Sequence, residues 1–280
     1  MGAEIAADIV AAMTTQEASS RPADRWRQMV AERAVPQSIR DQAPEREWSL
    51  EPERFRWRPD HDRERMDRPS RRRALEALPD GGSVIDIGVG GGASSLGLAA
   101  KAGVITGVDR LPAMLASFEE SGRAAGVATR AVLGAWPDVA GDVEPADVVV
   151  SHHAIYGVTE LESFLTAMTE HARRRVVLEV SEHFPQSRLL PLWKAFHGLD
   201  RPDHRVADEV HAVLVAMGLP VEREDAVAPG RGPDLTPEAV AFARRRLYVG
   251  PERDTEIEEF LRALGPDEHR AAALWWPGVA

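Results

Sequence analysis

Two short stretches of the chain hold residue types whose spacing could do chemistry. The first runs Asp86-Ile87-Gly88-Val89-Gly90-Gly91-Gly92-Ala93. Glycines there let the backbone turn tightly and let a ligand approach where a Cβ would stand. A helix beginning at Ser94 would then present unpaired N–H groups to an anionic group. Asp109 stands 109 − 88 = 21 residues beyond the first glycine, where an acid at the end of a second strand grips a ribose diol. The second stretch is Ser151-His152-His153-Ala154-Ile155-Tyr156. A histidine titrates near neutral pH and suits uptake of a proton from a hydroxyl. Tyr156, one of two tyrosines, could orient an acceptor.

Asp86 separates two chemistries that share such a loop. Gly88, Gly90 and Ala93 satisfy the nicotinamide pattern G-x-G-x-x-G/A, which keeps an NAD(P)-dependent oxidoreductase as an alternative. A nucleotide-binding strand, however, normally carries an apolar residue two places before the first glycine. A carboxylate buried there needs a cationic partner, and the α-ammonium of an amino-acid-bearing cofactor supplies one.

With these residues the sequence resembles the S-adenosylmethionine-dependent methyltransferases of the Rossmann-like class, whose first motif is an acid, x, G, x, G, x, G. Asp86, Gly88, Gly90 and Gly92 match its fixed positions, and Asp109 matches the family's ribose-binding acid. The resemblance implies S-adenosylmethionine as cofactor, S-adenosylhomocysteine as product, and a binding set that adds Arg110, Ala135, Trp136 and Ser151. The family's third region usually reads Gly-Asp-Ala, whereas this chain has Gly134-Ala135-Trp136. A Trp136 stacked on adenine is one reading of that departure, and a non-catalytic relative that only binds the cofactor is another. In members that methylate base amino groups, strand four ends Asn-Pro-Pro-Tyr. His152 falls at the Asn position, so His152 is the favoured base and His153 and Tyr156 complete the catalytic candidates. The segment also resembles a methyltransferase-like group associated with actinobacteria.

These residues must be positioned by alternating strands and helices. Short β-rich apolar runs alternate with helical patterns from Gly82 onward, which signals βαβ units and a parallel sheet buried on both faces. The pattern predicts strands at Ser83–Ile87, Val104–Val108, Ala128–Leu133, Val148–Ser151, Val176–Val180, Val221–Arg223 and Arg246–Val249. Helices are expected at Ser94–Ala102, Leu111–Gly122, Leu161–Arg173, Arg188–Phe196, Ala207–Met217, Pro237–Ala243 and Thr255–Leu264. The fold class is therefore α/β, a doubly wound, mostly parallel seven-stranded sheet with an N-terminal helical cover. The expected division is cover 1–78, cofactor-binding core 79–250, and a helix and tail, 251–280, packed on the core. The cover holds fifteen Arg against eleven acids between Arg21 and Arg73, with Trp26, Trp48, Phe55 and Trp57 interleaved. It reads either as a packed layer or as a lid over the site.

Composition narrows the partners. The 280 residues carry a net charge of −11, and a net anion is repelled by phosphate backbones, so nucleic acid is not expected. No cysteine occurs, which excludes disulfides, thiolate metal sites and a cysteine nucleophile and fits a cytoplasmic location. No apolar run approaches the roughly 20 residues that span a bilayer. Glu179, Glu182 and His183, and His197, Asp200 and His204, follow no established ligand spacing, so no metal is expected. The reading is transfer of a methyl group to a small-molecule acceptor, at oxygen or nitrogen rather than carbon. A homodimer is compatible with it.

Overall fold

The computed structural model describes residues 21–44, 56–58, 67–231, 234–265 and 267–280. Trp48 and Phe55 lie outside them. Five strands pair in parallel: β1 (Gly82–Ile87), β2 (Ala102–Asp109), β3 (Ala128–Leu133), β4 (Ala146–His152) and β5 (Ala172–Ser181). With β6 (Glu222–Arg231) and β7 (Asp267–Pro277) they form one sheet in the order β3-β2-β1-β4-β5-β7-β6. Strand β7 is antiparallel to both neighbours. The order reverses between β1 and β4, and the crevice beyond the carboxyl ends of strands at such a switch point is where open α/β sheets bind ligands.

The period of two along each strand decides which face each side chain covers. Val84, Val148, Val150, Val177 and Trp275 join one buried layer, and Ile85, Val149, Val176, Leu178 and Trp276 join the other. The first layer is closed by helices α3 (Pro69–Ala77) and α4 (Pro112–Ala125). The second is closed by α1 (Pro22–Glu32), α5 (Leu161–Glu170) and α7 (Val206–Ala216). The short helix α2 (Gln37–Gln42) follows α1. A third cluster joins α6 (Leu190–His197), α8 (Pro237–Leu247) and α9 (Asp254–Leu264) around Trp193, Leu247 and Ile257. No helix among the described residues is long and apolar enough to cross a membrane.

Three expectations require correction. The predicted strand Arg246–Val249 is the end of α8 and its cap, with Tyr248 in the left-handed region. The seventh strand instead comes from the predicted tail, where Ala271 to Trp276 are all buried between β5 and β6. Alanine is depleted in strands generally, which hides this run in the sequence, but small side chains fit a strand covered on both faces. The third correction is the helix after the glycine loop. The chain makes turns and one 3₁₀ turn, Leu96–Leu98, because Ser94, Ser95 and Gly97 are poor helix formers and Ser95 is drawn inward to bond Asp86.

Candidate active site

The cofactor half is built on the turn from β1. Gly88, Gly90 and Gly92 have φ of 73°, 52° and 86°, left-handed values that glycine adopts without steric cost. A Cβ on Gly88 would run into that of Ala154, and one on Gly92 into Leu96. The loop is tied down by Gly88 N–H and Val89 N–H donating to Val108 O at 2.8 and 3.1 Å.

Beneath the loop, Asp86 is fully buried. Its Oδ2 accepts from Ser95 Oγ at 2.6 Å, and its Oδ1 is buried with no hydrogen-bond partner. Burial pushes its carboxyl up to about 7; the Ser95 hydrogen bond opposes this and the charge of Asp109 adds to it. An unpartnered acceptor is costly unless a donor arrives, so the pocket calls for a cationic or N–H donor. Asp109 closes β2, where its Oδ2 accepts from Gly90 N–H and its Oδ1 from Leu111 N–H, both at 3.0 Å. Arg110 is exposed beside it. Leu111 and Leu133 flank Asp109 with large exposed apolar side chains. Neither is marked out in the sequence, since an apolar residue at a strand end gives no signal until its exposure is known. The donor set, the glycine cradle and the orphaned Asp86 oxygen fit an amino-acid-bearing nucleotide.

Two expected cofactor ligands have other work. Trp136 is buried in the core, donating Nε1–H to Phe164 O at 3.2 Å and standing edge-on to His171. In this structure it packs the molecule. Ser151 is buried and donates to Ile87 O at 2.9 Å, pinning β4 to β1. Ala135 is half-buried in the turn after β3.

The acceptor half lies where β4 and β5 end. His152, the last residue of β4, is in register with Glu179 of β5. His153 follows with φ of 56°, uncommon for a non-glycine residue. Its Nε2 is 3.0 Å from Glu179 Oε1 and its Nδ1 is 2.8 Å from the Tyr156 hydroxyl. Tyr156 accepts from Ser181 N–H at 2.8 Å and lies 3.0 Å from Ser181 Oγ. Burial pushes the phenol up to about 12 against the Ser181 hydrogen bonds. Glu179 is buried; Arg68 donates to its Oε1 at 2.7 Å, and Ser70 Oγ donates to its Oε2. Burial works to raise the Glu179 carboxyl, but the His153 hydrogen bond and the neighbouring cationic side chains, Arg68 among them, outweigh it and hold it well below the usual carboxylate range. The sequence had grouped Glu179 with Glu182 and His183. In the fold His183 pairs with Asp203, His197 bonds Leu247 O and His204 bonds Glu32.

The N-terminal segment touches both halves. Arg56 bridges to Gly91 and Gly92, Trp57 N–H donates to Gly91 O at 3.2 Å, and Arg56 pairs with Glu120 of α4. Arg68 and Ser70 then hold Glu179. Trp26, fully buried, anchors α1 by donating Nε1–H to Val158 O at 2.7 Å.

The sheet order, the glycine turn with its two acids, and the side chains beyond β4 together make a doubly wound α/β fold with a candidate site at its switch point. Residues 84–175 match the family model described as a methyltransferase domain. Over those residues the chain is similar to methyltransferase domains, and its sheet has the order of the Rossmann-like α/β fold. No curated protein matches it. Similar solved structures include the YcgJ protein of Bacillus subtilis, with a TM-score of 0.50 and 14% identity over 75% of this chain and 99% of that one. A protein of Galdieria sulphuraria described as a sarcosine dimethylglycine methyltransferase gives 0.50 and 14% over 78% and 86%. Magnesium protoporphyrin IX methyltransferase of Synechocystis PCC 6803, crystallised with S-adenosylhomocysteine, gives 0.49 and 15% over 91% and 93%.

Proposed function

We propose that the protein methylates a small-molecule acceptor at an oxygen or nitrogen that carries a proton. The observation behind this reading is the cluster of proton-exchanging side chains beyond β4 and β5, with His153 Nδ1 at 2.8 Å from the Tyr156 hydroxyl. A hydroxyl must lose its proton on methylation, and a positioned side chain able to take it up suits that step. The net charge of −11 weighs against nucleic acid.

S-adenosylmethionine supplies a methyl group on a sulfonium, so the protein's task is to hold nucleophile and methyl in line and to exclude water. Asp86 Oδ1 would hold the cofactor's ammonium, the glycine turn would admit its amino-acid end, and Asp109 would accept from its ribose hydroxyls. Leu111 and Leu133 offer apolar faces to the adenine. Next to Tyr156 the Phe184 ring stands edge-on, with Arg33 stacked 4.5 Å from its centroid.

Labelled methyl transfer from S-adenosylmethionine to a panel of phenols, alcohols, carboxylates and amines, followed by mass spectrometry, tests the reading. Transfer to an oxygen or nitrogen of a small molecule is expected. Transfer only to nucleic acid or protein would overturn it. A thermal-shift comparison accompanies it: ligand at a hundred times its Kd stabilises by about 2.7 kcal/mol. S-adenosylmethionine and S-adenosylhomocysteine should raise Tm, and NADH should not.

A further inference from the structure

We infer that His153, rather than its neighbour His152, takes the acceptor's proton, and that Glu179 is the positioning residue that keeps His153 Nδ1 bare to receive it. This rests on the proposed transfer to a proton-bearing oxygen or nitrogen.

An ionised carboxylate can only accept hydrogen bonds. Glu179 Oε1 takes one from Arg68 at 2.7 Å, and Oε2 takes one from Ser70. Its 3.0 Å contact with His153 Nε2 must therefore be donated by Nε2–H. In the neutral ring the remaining nitrogen, Nδ1, then carries a lone pair, and which nitrogen bears the proton is set by the bond the other makes. The groups near Nδ1 are both hydroxyls, Tyr156 at 2.8 Å and Ser181 Oγ at 3.3 Å. A hydroxyl can donate to a lone pair, and Tyr156, held by Ser181 N–H and in contact with Ser181 Oγ, can pass a proton between an acceptor and Nδ1.

The backbone supports the choice between the two histidines. His152 completes the β4 ladder opposite Glu179. His153 leaves the strand in the left-handed region, and its main-chain N–H still donates to Glu179 O at 2.9 Å. Strain of this kind persists where the surroundings over-determine it and collects at active sites. Here the surroundings are Glu179 on β5, Tyr156 in the turn after β4, and His269 of β7, whose ring stands edge-on 5.5 Å from that of His153.

The step balances. As the acceptor's oxygen or nitrogen forms its bond to the methyl carbon, the carbon–sulfur bond breaks with its electron pair left on sulfur. The acceptor's proton goes to His153 Nδ1. The positive charge that began on sulfonium ends on imidazolium, beside the ionised Glu179. Because Arg68 and Ser70 belong to the segment that leads into the core, the N-terminal cover completes this half of the site.

His153, Glu179 and His269 also bring one ligand atom each within 4.8 Å of one another, a spacing that a divalent cation could bridge. The Arg68 guanidinium on the same Glu179 oxygen already supplies the positive charge there and would have to be displaced.

The test is the protonation pattern of His153 in the full chain, read by ¹⁵N NMR of histidine-labelled protein and assigned with His153→Gln. A neutral ring protonated at Nε2, with Nδ1 bare, is expected, and Glu179→Gln should erase that preference. A ring protonated at Nδ1, an even mixture of tautomers, or a Glu179→Gln protein with the native pattern would overturn the assignment. Stoichiometric zinc or manganese retained after dialysis would overturn it too. The native spectrum decides even if Glu179→Gln does not fold, and it needs no acceptor, so its failure is separate from failure of the methyl-transfer reading. With an acceptor in hand, His153→Gln should lower kcat at least a hundredfold and by more than His152→Gln does. The reverse order would return the role to His152.

Discussion

Asp86, the proposed partner of the cofactor's ammonium, is also a titrating group of the free protein. Burial lifts its carboxyl from 3.8 to about 7, so between about pH 4 and 7 the folded chain holds a proton that the unfolded chain has released. Its contribution is therefore fully present at the acid end and is lost as pH rises through that window, by roughly 4 kcal/mol if the group acted alone. Urea unfolding of the free protein should show less stability at pH 8 than at pH 5.5, and Asp86→Asn should remove that fall. The cofactor's ammonium favours the ionised form, so calorimetry should find affinity rising with pH up to about 7 and then level. Equal affinity at pH 5.5 and 8 would separate Asp86 from the ammonium. Asp109→Asn belongs beside it. Losing a charge-assisted acceptor for ribose hydroxyls costs about 1.5 to 3 kcal/mol, roughly ten- to a hundredfold in Kd. Unchanged affinity in a folded variant would remove Asp109 from the site.

At the level of elements, the glycine turn is held by what crosses it rather than by the helix that usually follows such a loop. Only the 3₁₀ turn Leu96–Leu98 stands there, and residues Arg56 and Trp57 lie against Gly91 and Gly92. No regular helix secures this loop, and segments outside regular elements open at lower free energy than core strands. S-adenosylmethionine should therefore slow hydrogen exchange along Gly90 to Leu96 and at Trp57 together. Protection of the loop with unchanged exchange at Trp57 would mean that the N-terminal segment is packing alone. The sequence placed aromatic and Arg residues in this segment without showing which would reach the loop. That depends on the path of the chain across α4, where Arg56 meets Glu120.

Across the whole molecule, β7 is the piece that joins the two ends of the chain's chemistry. It lies between β5 and β6, and its Ala273 pairs with Glu179 in register. Trp276 is buried and donates Nε1–H to Thr169 Oγ1 at 2.8 Å. Trp276→Ala should cost about 3 to 5 kcal/mol of stability by denaturant unfolding. A loss below about 1 kcal/mol would mean that this segment is the docked tail its sequence suggests. By itself the sequence determined the parallel strands, the glycine turn, Asp86 and Asp109, because strand period, glycine spacing and a misplaced acid are local properties written within some twenty residues. It did not determine which strand fills the gap beside β5, nor that Trp136 and Ser151 would turn to the core. It also did not determine that Glu179, 26 residues beyond His153, would single out that histidine over His152. Those outcomes depend on which faces meet across the sheet, and only the tertiary structure brings together groups that the chain keeps apart.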